Sequence, residues 1–186
     1  MLGSHNTFTY LKTNNIFSKW SKCQEINYRK QYTLGVRCFD VRIKFDKKGD
    51  LKLVHNCTIY KGGYEDLLHF LQFLSNKGDC YIRLILDIRK EPSDKNHQIK
   101  WFKDIIALIK TLNIKIVEAL TYWDWQYYEQ DKSIKITEKH ASVTNIWEVI
   151  KTPKNYAKKH NPEIRKENKN IIDSNTEILL IDFVNE

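Results

Sequence analysis

The sequence predicts an α/β fold in which parallel strands are joined by crossover helices, as in a doubly wound sheet or a barrel. Apolar patterns typical of strands and of helices alternate along the first two thirds of the chain. The 186 residues are 41% hydrophobic and 12% aromatic, which is enough for one packed core. No fixed-period repeat and no Gly/Ser-rich or Pro-rich linker divides the sequence, so residues 1–186 are expected to form a single domain.

A β-hairpin is the first element that the pattern predicts. The segment from Val36 to Phe45 alternates β-branched or aromatic residues with polar ones. The turn sequence DKKGD follows, and LKLVH, which ends at His55, is typical of a second short strand.

Helices and strands alternate after the hairpin. Two segments carry apolar residues every three or four positions, and two other apolar runs are too short and too rich in β-branched residues for helices. The predicted elements are a helix from Tyr64 to Leu74, a strand from Tyr81 to Ile88, a helix from Ile99 to Leu112 and a strand in IKIVEAL.

The second half of the chain gives a weaker pattern. SIKIT and EILLIDFV are predicted to be strands, and Ser142 to Lys151 a helix around Trp147. The Lys/Asn-rich stretch from Lys154 to Asn175 is predicted to be a loop with one or two helical turns. Parallel strands joined in this way place functional residues at their carboxyl ends.

Composition limits the partners and the compartment only broadly. The formal net charge of +8 favours an anionic partner, and nucleic acid, acidic lipid and phosphorylated small molecules all meet that condition. No run approaches the roughly 18 apolar residues of a membrane span, and the opening MLGSHNTFTY is not typical of a secretory signal, so a soluble or membrane-peripheral protein is expected. The four cysteines form no CxxC motif and are predicted to be free thiols: Cys23, Cys38, Cys57 and Cys80.

Polar side chains stand at unusual places in the predicted strands and loops. His5 lies in a turn-like stretch, and His55 ends a strand; Asp40 and Arg42 share one strand face, and Asp87 and Asp182 interrupt apolar strands. An ordinary loop, a solvated strand face and structural ion pairs are the alternative explanations. If these side chains converge at one end of a barrel, two imidazoles and a guanidinium suit phosphodiester cleavage without a redox cofactor. The sequence lacks the GxxxxGK[ST], GxGxxG and HExxH motifs of nucleotide-binding proteins and zinc proteases.

Four motifs, in order, carry a family resemblance: GSHNTFTY, GVRCFDVRI, LKLVHN and LLIDFVNE. Together they resemble the X-domain of phosphatidylinositol-specific phospholipase C in its compact bacterial form. The resemblance implies an irregular TIM-type (β/α) barrel, complete or incomplete. It also implies a phosphatidylinositol-type lipid at a membrane surface as the partner, and no nucleic acid.

The resemblance also implies roles for individual residues. His5 would be the general base that deprotonates the inositol 2-hydroxyl, with Asp182 orienting it. Arg42 would bind the phosphate, and His55 would be the general acid that protonates the departing diacylglycerol oxygen. Asp40 matches an acidic residue close to His55, and the product would be a cyclic inositol phosphate.

At three positions the sequence mixes the patterns of the calcium-dependent and the metal-independent members of the family. Asn6 and Asp87 match the calcium-dependent relatives, whereas Arg42 matches the metal-independent ones. Asn6 and Asp87 are expected to face the substrate, and a calcium-dependent enzyme would use Asn6, Asp40 and Asp87 as ligands. Because a guanidinium and a calcium ion repel each other at one phosphate-facing position, a metal-free site is favoured over calcium. The chain is short for the family and is expected to lack the first barrel strand and clear counterparts of a late strand and the terminal helix.

The aromatic stretch from Tyr122 to Tyr128 suits a core, a membrane surface or stacking on a sugar ring. Two further functions stay open. The chain could be a weakly active or inactive module that binds anionic lipid or another phosphodiester. It could also be a glycerophosphodiester or phospholipase D-like enzyme of the same superfold, although those enzymes need an acidic metal-binding pair where Arg42 stands.

Overall fold

The computed structural model describes residues 1–16, 18–139 and 153–185. In these ranges the strands form one curled half-barrel sheet with the order β7-β6-β5-β2-β1-β9-β8, and β3 and β4 extend from β2. The strands are β1 Leu2–Ser4, β2 Val36–Phe45, β3 Leu51–His55, β4 Thr58–Ile59, β5 Tyr81–Leu86, β6 Lys115–Thr121, β7 Tyr127–Gln130, β8 Lys135–Lys139 and β9 Glu177–Ile181. The helices are a 3-10 turn at Thr7–Tyr10, α1 Ser18–Ser21, α2 Tyr28–Thr33, α3 Tyr64–Ser75, α4 Lys95–Thr111, α5 Pro153–Glu167 and α6 Lys169–Ile172.

The central strands are parallel, as a barrel of this class requires. β1 pairs in parallel with β2 and β9, β5 with β2 and β6, and β8 with β9. The hairpin of β2 and β3 is antiparallel, with Phe45 opposite Leu51 and Ile43 opposite Leu53, as predicted. The irregular (β/α) barrel that the sequence predicts is confirmed. In the described residues, β7 and β8 are the first and last strands of the sheet order.

The two faces of β2 explain where the core and the polar residues lie. Phe39, Val41 and Ile43 are fully buried in the main apolar core, under the helices on the outer face of the sheet. Because side chains alternate along a strand, Cys38, Asp40 and Arg42 belong to the opposite face. Cys38 packs in a second, smaller cluster with residues of β6 and β9.

The first strand is present, contrary to the expectation that the chain lacks it. Leu2–Ser4 is β1, and it occupies the centre of the sheet between β2 and β9. Three residues carry too little pattern to be recognised alone; the strand is defined by its two neighbours. A Cβ at Gly3 would lie 2.5 Å from Leu180 and 2.9 Å from Ile178, so this close approach requires glycine.

One further prediction is wrong in the second half. The stretch from Lys154 is mostly a 15-residue helix, α5, rather than a loop. Its buried face is narrow and contains Ala157 and a polar residue, Asn161, so no apolar periodicity reveals it. The aromatic stretch also contains a strand, β7, which pairs antiparallel with β6. The helix predicted from Ser142 to Lys151 lies outside the described residues.

The four cysteines are free thiols, as expected, and only Cys57 is exposed. No helix in the described ranges combines the length and the apolar character needed to cross a membrane.

Candidate active site

The polar cluster lies where four neighbouring strands end. His5 follows β1, Asp182 follows β9, Asp87 follows β5, and Arg42 lies near the carboxyl end of β2. His55 is the last residue of β3, which returns toward the cluster from the hairpin turn. The carboxyl ends of parallel strands meet at one edge of a sheet, and this edge therefore collects the residues that the sequence singled out.

His5 and Asp182 form a buried pair. Because β1 and β9 are parallel neighbours with Ser4 opposite Ile181, the residues that follow them, His5 and Asp182, lie side by side. The Nδ1 of His5 lies 2.7 Å from Oδ1 of Asp182, and the two side chains are about 95% buried. An Nδ1–H that donates to the carboxylate leaves the lone pair on Nε2, which is the arrangement of a general base.

Arg42 lies between two carboxylates and also contacts His5. Its Nε and one terminal nitrogen each donate to Oδ2 of Asp40 at 3.2 Å, and its other terminal nitrogen is 3.9 Å from Oδ2 of Asp87. The same terminal nitrogen that contacts Asp40 lies 2.8 Å from Nε2 of His5. Burial alone would lower the pKa of Arg42, but Asp40 and Asp87 raise it above its ordinary value. Burial would likewise raise the pKa of Asp40, yet Arg42 holds it below its ordinary value. The guanidinium is thus charged and held in a fixed orientation.

His55 faces His5 across the cluster. The ring centroids are 5.8 Å apart and the rings are nearly perpendicular. The Nδ1 of His55 donates to the carbonyl oxygen of Ser21 at 2.6 Å, which leaves Nε2 as the acceptor nitrogen. Burial, followed by repulsion from Arg42 and His5, lowers the pKa of His55 to about 3. This imidazole is therefore neutral at neutral pH. It can take up a proton only when a nearby negative charge offsets the positive charge of Arg42.

Asn6 and Asp87, the residues expected to face the substrate, join the same cluster. Asn6 has a left-handed backbone (φ 51°), and its N–H donates to Oδ2 of Asp40 at 3.1 Å. Its side-chain amide lies 3.0 Å from Nε2 of His5. The Oδ2 of Asp87 accepts from the backbone N–H of Asn56 at 3.1 Å.

The same residues show how well the site suits calcium. Asn6, Asp40 and Asp87 each keep one buried oxygen without a hydrogen-bond partner in the described part of the chain, and oxygen is the ligand type that calcium prefers. However, Arg42 contacts both carboxylates and Arg89 also contacts Asp87, so two guanidinium charges already balance them. A calcium ion would have to displace the Arg42 guanidinium, so the residues do not fit a resident calcium ion.

Cys23 is a member of the cluster that the sequence did not indicate. Its Sγ lies 3.6 Å from Nδ1 of His55 and 3.6 Å from the side-chain amide of Asn6. Burial, and then the charge of Asp182, raises the pKa of this thiol well above its ordinary value. Cys23 stands in the polar loop SKCQ, where no local pattern marks it.

The aromatic stretch divides between core and surface. Trp123 and Tyr128 pack against the main core, whereas Trp125 is 52% exposed. The ring of Tyr122 lies 4.8 Å from that of Trp125, and the guanidinium of Arg89 is 4.0 Å from the Tyr122 ring centre. Arg89 is also 3.6 Å from Asp87, so this aromatic edge is continuous with the cluster.

Comparisons with known proteins identify the fold. No protein-family model matches the sequence, and no curated protein does. The structure matches solved structures of phosphatidylinositol-specific phospholipase C from Staphylococcus aureus. A form containing pentafluorophenylalanine is 14% identical with a TM-score of 0.67, over 98% of this chain and 85% of that chain. Two other variants of that enzyme give 15% identity with a TM-score of 0.66 over 98% and 85%, and 14% with 0.68 over 98% and 84%.

At this level of identity the comparison establishes the architecture. The chain has the barrel-like fold of phosphatidylinositol-specific phospholipase C, as the four sequence motifs imply. Functions differ among proteins that share a fold, so the activity must be argued from the site itself.

Proposed function

We propose that the protein is a phosphatidylinositol phosphodiesterase of the phospholipase C type that works without a metal ion. The observation that carries the proposal is the cluster in which the His5 and Asp182 pair, the Arg42 guanidinium and the His55 ring meet within a few ångströms. This set contains a base, an anion-binding group and an acid, which are the groups that cleavage of a phosphodiester by an internal hydroxyl requires.

The first half of the reaction uses His5. Its Nε2 takes the proton of the inositol 2-hydroxyl, and that oxygen forms a bond to phosphorus. Asp182 holds the ring through Nδ1 and stabilises the imidazolium that results. Without substrate, Arg42 donates toward Nε2 of His5. With substrate bound, it donates instead to the non-bridging phosphate oxygens, whose charge increases in the transition state.

The second half uses His55. The bond from phosphorus to the glycerol oxygen breaks, and His55 gives that oxygen a proton, so the products are diacylglycerol and a cyclic inositol phosphate. The low pKa of His55 reflects burial and the positive charge of Arg42. A bound phosphate anion compensates that charge, so His55 takes up its proton only when substrate is present.

The lipid partner and the membrane surface follow from the substrate. The net charge of +8 attracts an anionic bilayer, and the exposed Trp125 lies beside the Arg89 edge of the site. Structures of the Staphylococcus aureus enzyme concern modulation of its membrane binding. The cluster itself is more than 90% buried, so the headgroup must enter at the partly accessible Arg42 and His55 side chains.

The test is incubation of the purified chain with phosphatidylinositol vesicles, followed by phosphorus NMR. We expect a cyclic inositol phosphate signal that persists in excess chelator. Phosphatidylcholine vesicles are the control substrate, because choline offers no internal hydroxyl for attack on phosphorus. Vesicle binding without turnover would favour the inactive lipid-binding module, and release of free choline would favour the phospholipase D-like alternative.

A further inference from the structure

We propose that the protein has a zinc-binding site formed by His5, Cys23 and Asp182, and that a zinc ion bound there inhibits the enzyme. One ligand atom from each of these three buried residues lies within 4.8 Å of the other two. The inhibitory effect rests on the proposed function, whereas the binding of the metal does not.

The backbone holds the three residues in place before any ion arrives. His5 and Asp182 follow the paired strands β1 and β9. The carbonyl oxygen of Cys23 accepts from the backbone N–H of Phe183, the residue after Asp182, at 2.5 Å. The backbone N–H of Cys23 donates to the hydroxyl of Thr9 at 2.9 Å. The sulfur is therefore fixed relative to both of the other ligands.

The donor set selects the kind of metal. Imidazole nitrogen, thiolate sulfur and carboxylate oxygen are the ligands of zinc, with bonds of about 2.0 to 2.3 Å. Donors around one such ion lie roughly 3 to 4 Å apart. Donor pairs as far as 4.8 Å apart must therefore move closer, and the 2.7 Å pair of His5 and Asp182 must widen slightly. Calcium and magnesium prefer oxygen alone and are not expected here.

Charge balance also favours this position over the Asp40 side of the cluster. Arg42 contacts both Asp40 and Asp87, and Arg89 also contacts Asp87, so two guanidinium charges balance the two carboxylates there. A Cys23 thiolate and the Asp182 carboxylate together supply two negative charges, which match one Zn²⁺ ion. Three protein ligands, one of them a neutral imidazole, leave the fourth position of a tetrahedral zinc ion for a water molecule.

Binding would change the protonation of His5 and so block its proposed role. The thiol of Cys23 releases its proton to solvent. The proton on Nδ1 of His5 moves to Nε2, so that Nδ1, now 2.7 Å from Asp182, can bind the ion. The imidazole stays neutral overall, but Nε2 now carries a proton and cannot accept one from the inositol hydroxyl. Because Nε2 lies 2.8 Å from a terminal nitrogen of Arg42, the guanidinium must also turn away from the new N–H.

The binding test uses Co²⁺ as a coloured substitute for Zn²⁺ and measures no activity. We expect the whole chain to show a sulfur-to-cobalt charge-transfer band in the near ultraviolet, and Zn²⁺ to remove it. The Cys57→Ser variant, which lacks the exposed thiol, should keep the band, and Cys23→Ser should lose it. No band in the wild type, or a band that follows Cys57 instead of Cys23, overturns the site.

A second variant protects the test against misfolding of the Cys23 variant. His5→Ala leaves the sulfur in place and should weaken Zn²⁺ binding by at least about 10-fold in calorimetry, since even losing an outer partner of a ligand costs about that much. An unchanged affinity overturns the site.

Activity then separates this inference from the proposed function. In phosphatidylinositol cleavage, Zn²⁺ should inhibit the wild type and Cys57→Ser at concentrations at least about 10-fold lower than those needed for Cys23→Ser. If zinc binds at Cys23 but the protein shows no turnover, the metal site is supported and the proposed enzymatic activity is contradicted. Turnover that saturating Zn²⁺ leaves unchanged overturns the inhibitory role.

Discussion

Two histidines face each other in the cluster, and their environments suit them to the two different roles that we propose. His5 has a carboxylate partner in Asp182, which supports a positive ring after proton transfer. His55 has a backbone carbonyl as its partner and the guanidinium of Arg42 nearby, so its positive form is unfavourable until an anion binds. The assignment of base and acid therefore follows from the neighbours of each ring.

Removal of either imidazole should nearly abolish turnover while the protein remains folded. We expect His5→Ala and His55→Ala each to reduce the cleavage rate by about 10²- to 10⁴-fold, the usual contribution of a general acid or base. His69→Ala, on the exposed face of α3, is the matched control and should retain full activity. More than about a tenth of wild-type activity in one active-site variant would exclude that histidine from the mechanism.

Arg42 should be irreplaceable by lysine. A guanidinium can donate two parallel hydrogen bonds to a phosphate, whereas an ammonium is a point charge on a flexible stem. Arg42→Lys should therefore lower the rate severely, and excess chelator should leave the wild-type rate unchanged. If chelator stops turnover and calcium restores it, the metal-free assignment is wrong even if Arg42 also proves essential.

The low pKa of His55 makes a separate prediction about stability. Below the ordinary value of 6.5 the unfolded chain protonates this ring, but the folded chain does not until the pH approaches about 3. Folding stability should therefore fall in this range by about 1.4 kcal/mol per pH unit from this group. Asp40, whose pKa is held below 3.8, loses its contribution only at lower pH.

Urea unfolding at about pH 7 and about pH 5 measures this effect, with His55→Gln as the comparison. The wild type should lose about 2 kcal/mol more than the variant between the two conditions. Equal losses would mean that His55 is not held neutral in the folded protein.

Some of the site could be predicted from single residues and some could not. Asp87 and Asp182 were recognisable because carboxylates interrupt apolar strands, where burial requires a partner. Asp40 and Arg42 were recognisable from their spacing on one strand. Cys23 lies in an irregular loop, and its approach to the cluster depends on long-range contacts such as that with Phe183. A sequence pattern cannot encode such a contact.

At the scale of elements, one buried side chain joins the two strands that lead to His5 and Asp182. The side-chain amide of Gln24 donates to the carbonyl oxygens of His5 and Ile181 at 3.0 and 3.1 Å. Its oxygen accepts from the backbone N–H of Val184 at 3.2 Å. Gln24 is fully buried and so links the end of β1 to both sides of Asp182.

Replacement of this amide by an apolar chain of similar size should affect both stability and catalysis. Gln24→Met leaves buried backbone groups without partners, at about 1 to 3 kcal/mol for each group that stays unsatisfied. We expect a lower urea midpoint and a reduced rate with little change in KM, since the catalytic pair shifts while Arg42 does not. Gln31→Met is a control, because Gln31 is also fully buried and bonds backbone carbonyls, but at Thr7 and Ile26, away from Asp182. A Gln24→Met enzyme with wild-type kcat would show that this link does not position the pair.

The elements themselves were predictable in proportion to their apolar periodicity. The hairpin, α3, β5, α4 and β6 follow the sequence pattern because each buries one regular apolar face or run. The short strand β1 and the helix α5 do not, since one is defined by its neighbours and the other buries Asn161. The side chain of Asn161 donates to the carbonyl oxygens of Asp182 and Phe183, a use that hydrophobic patterns do not show.

The whole sheet holds a second charge network, in which Arg83 and Glu118 are buried and Glu138 is exposed. Arg83 of β5 contacts Glu118 of the neighbouring strand β6 and Glu138 of β8, at the far end of the strand order. The contact with Glu138 connects strands that are not adjacent in the sheet, so it holds the curled form from inside. The charge of Asp40, in the cluster above, also helps to keep Arg83 protonated. The pKa of Arg83 therefore lies above its ordinary value.

Loss of this arginine should therefore destabilise the molecule more than loss of a surface arginine. Arg83→Met leaves the buried carboxylate of Glu118 without its arginine, and removing one member of a buried ion pair typically costs about 3 to 5 kcal/mol. Arg37→Met, which breaks a half-exposed pair with Asp79, is the control and should cost about 1 kcal/mol or less. Urea unfolding measures both. Because the network lies inside the curled sheet, its loss should also broaden the unfolding transition measured by near-ultraviolet circular dichroism. Equal destabilisation by the two substitutions would show that the Arg83 network does not hold β8 against β5.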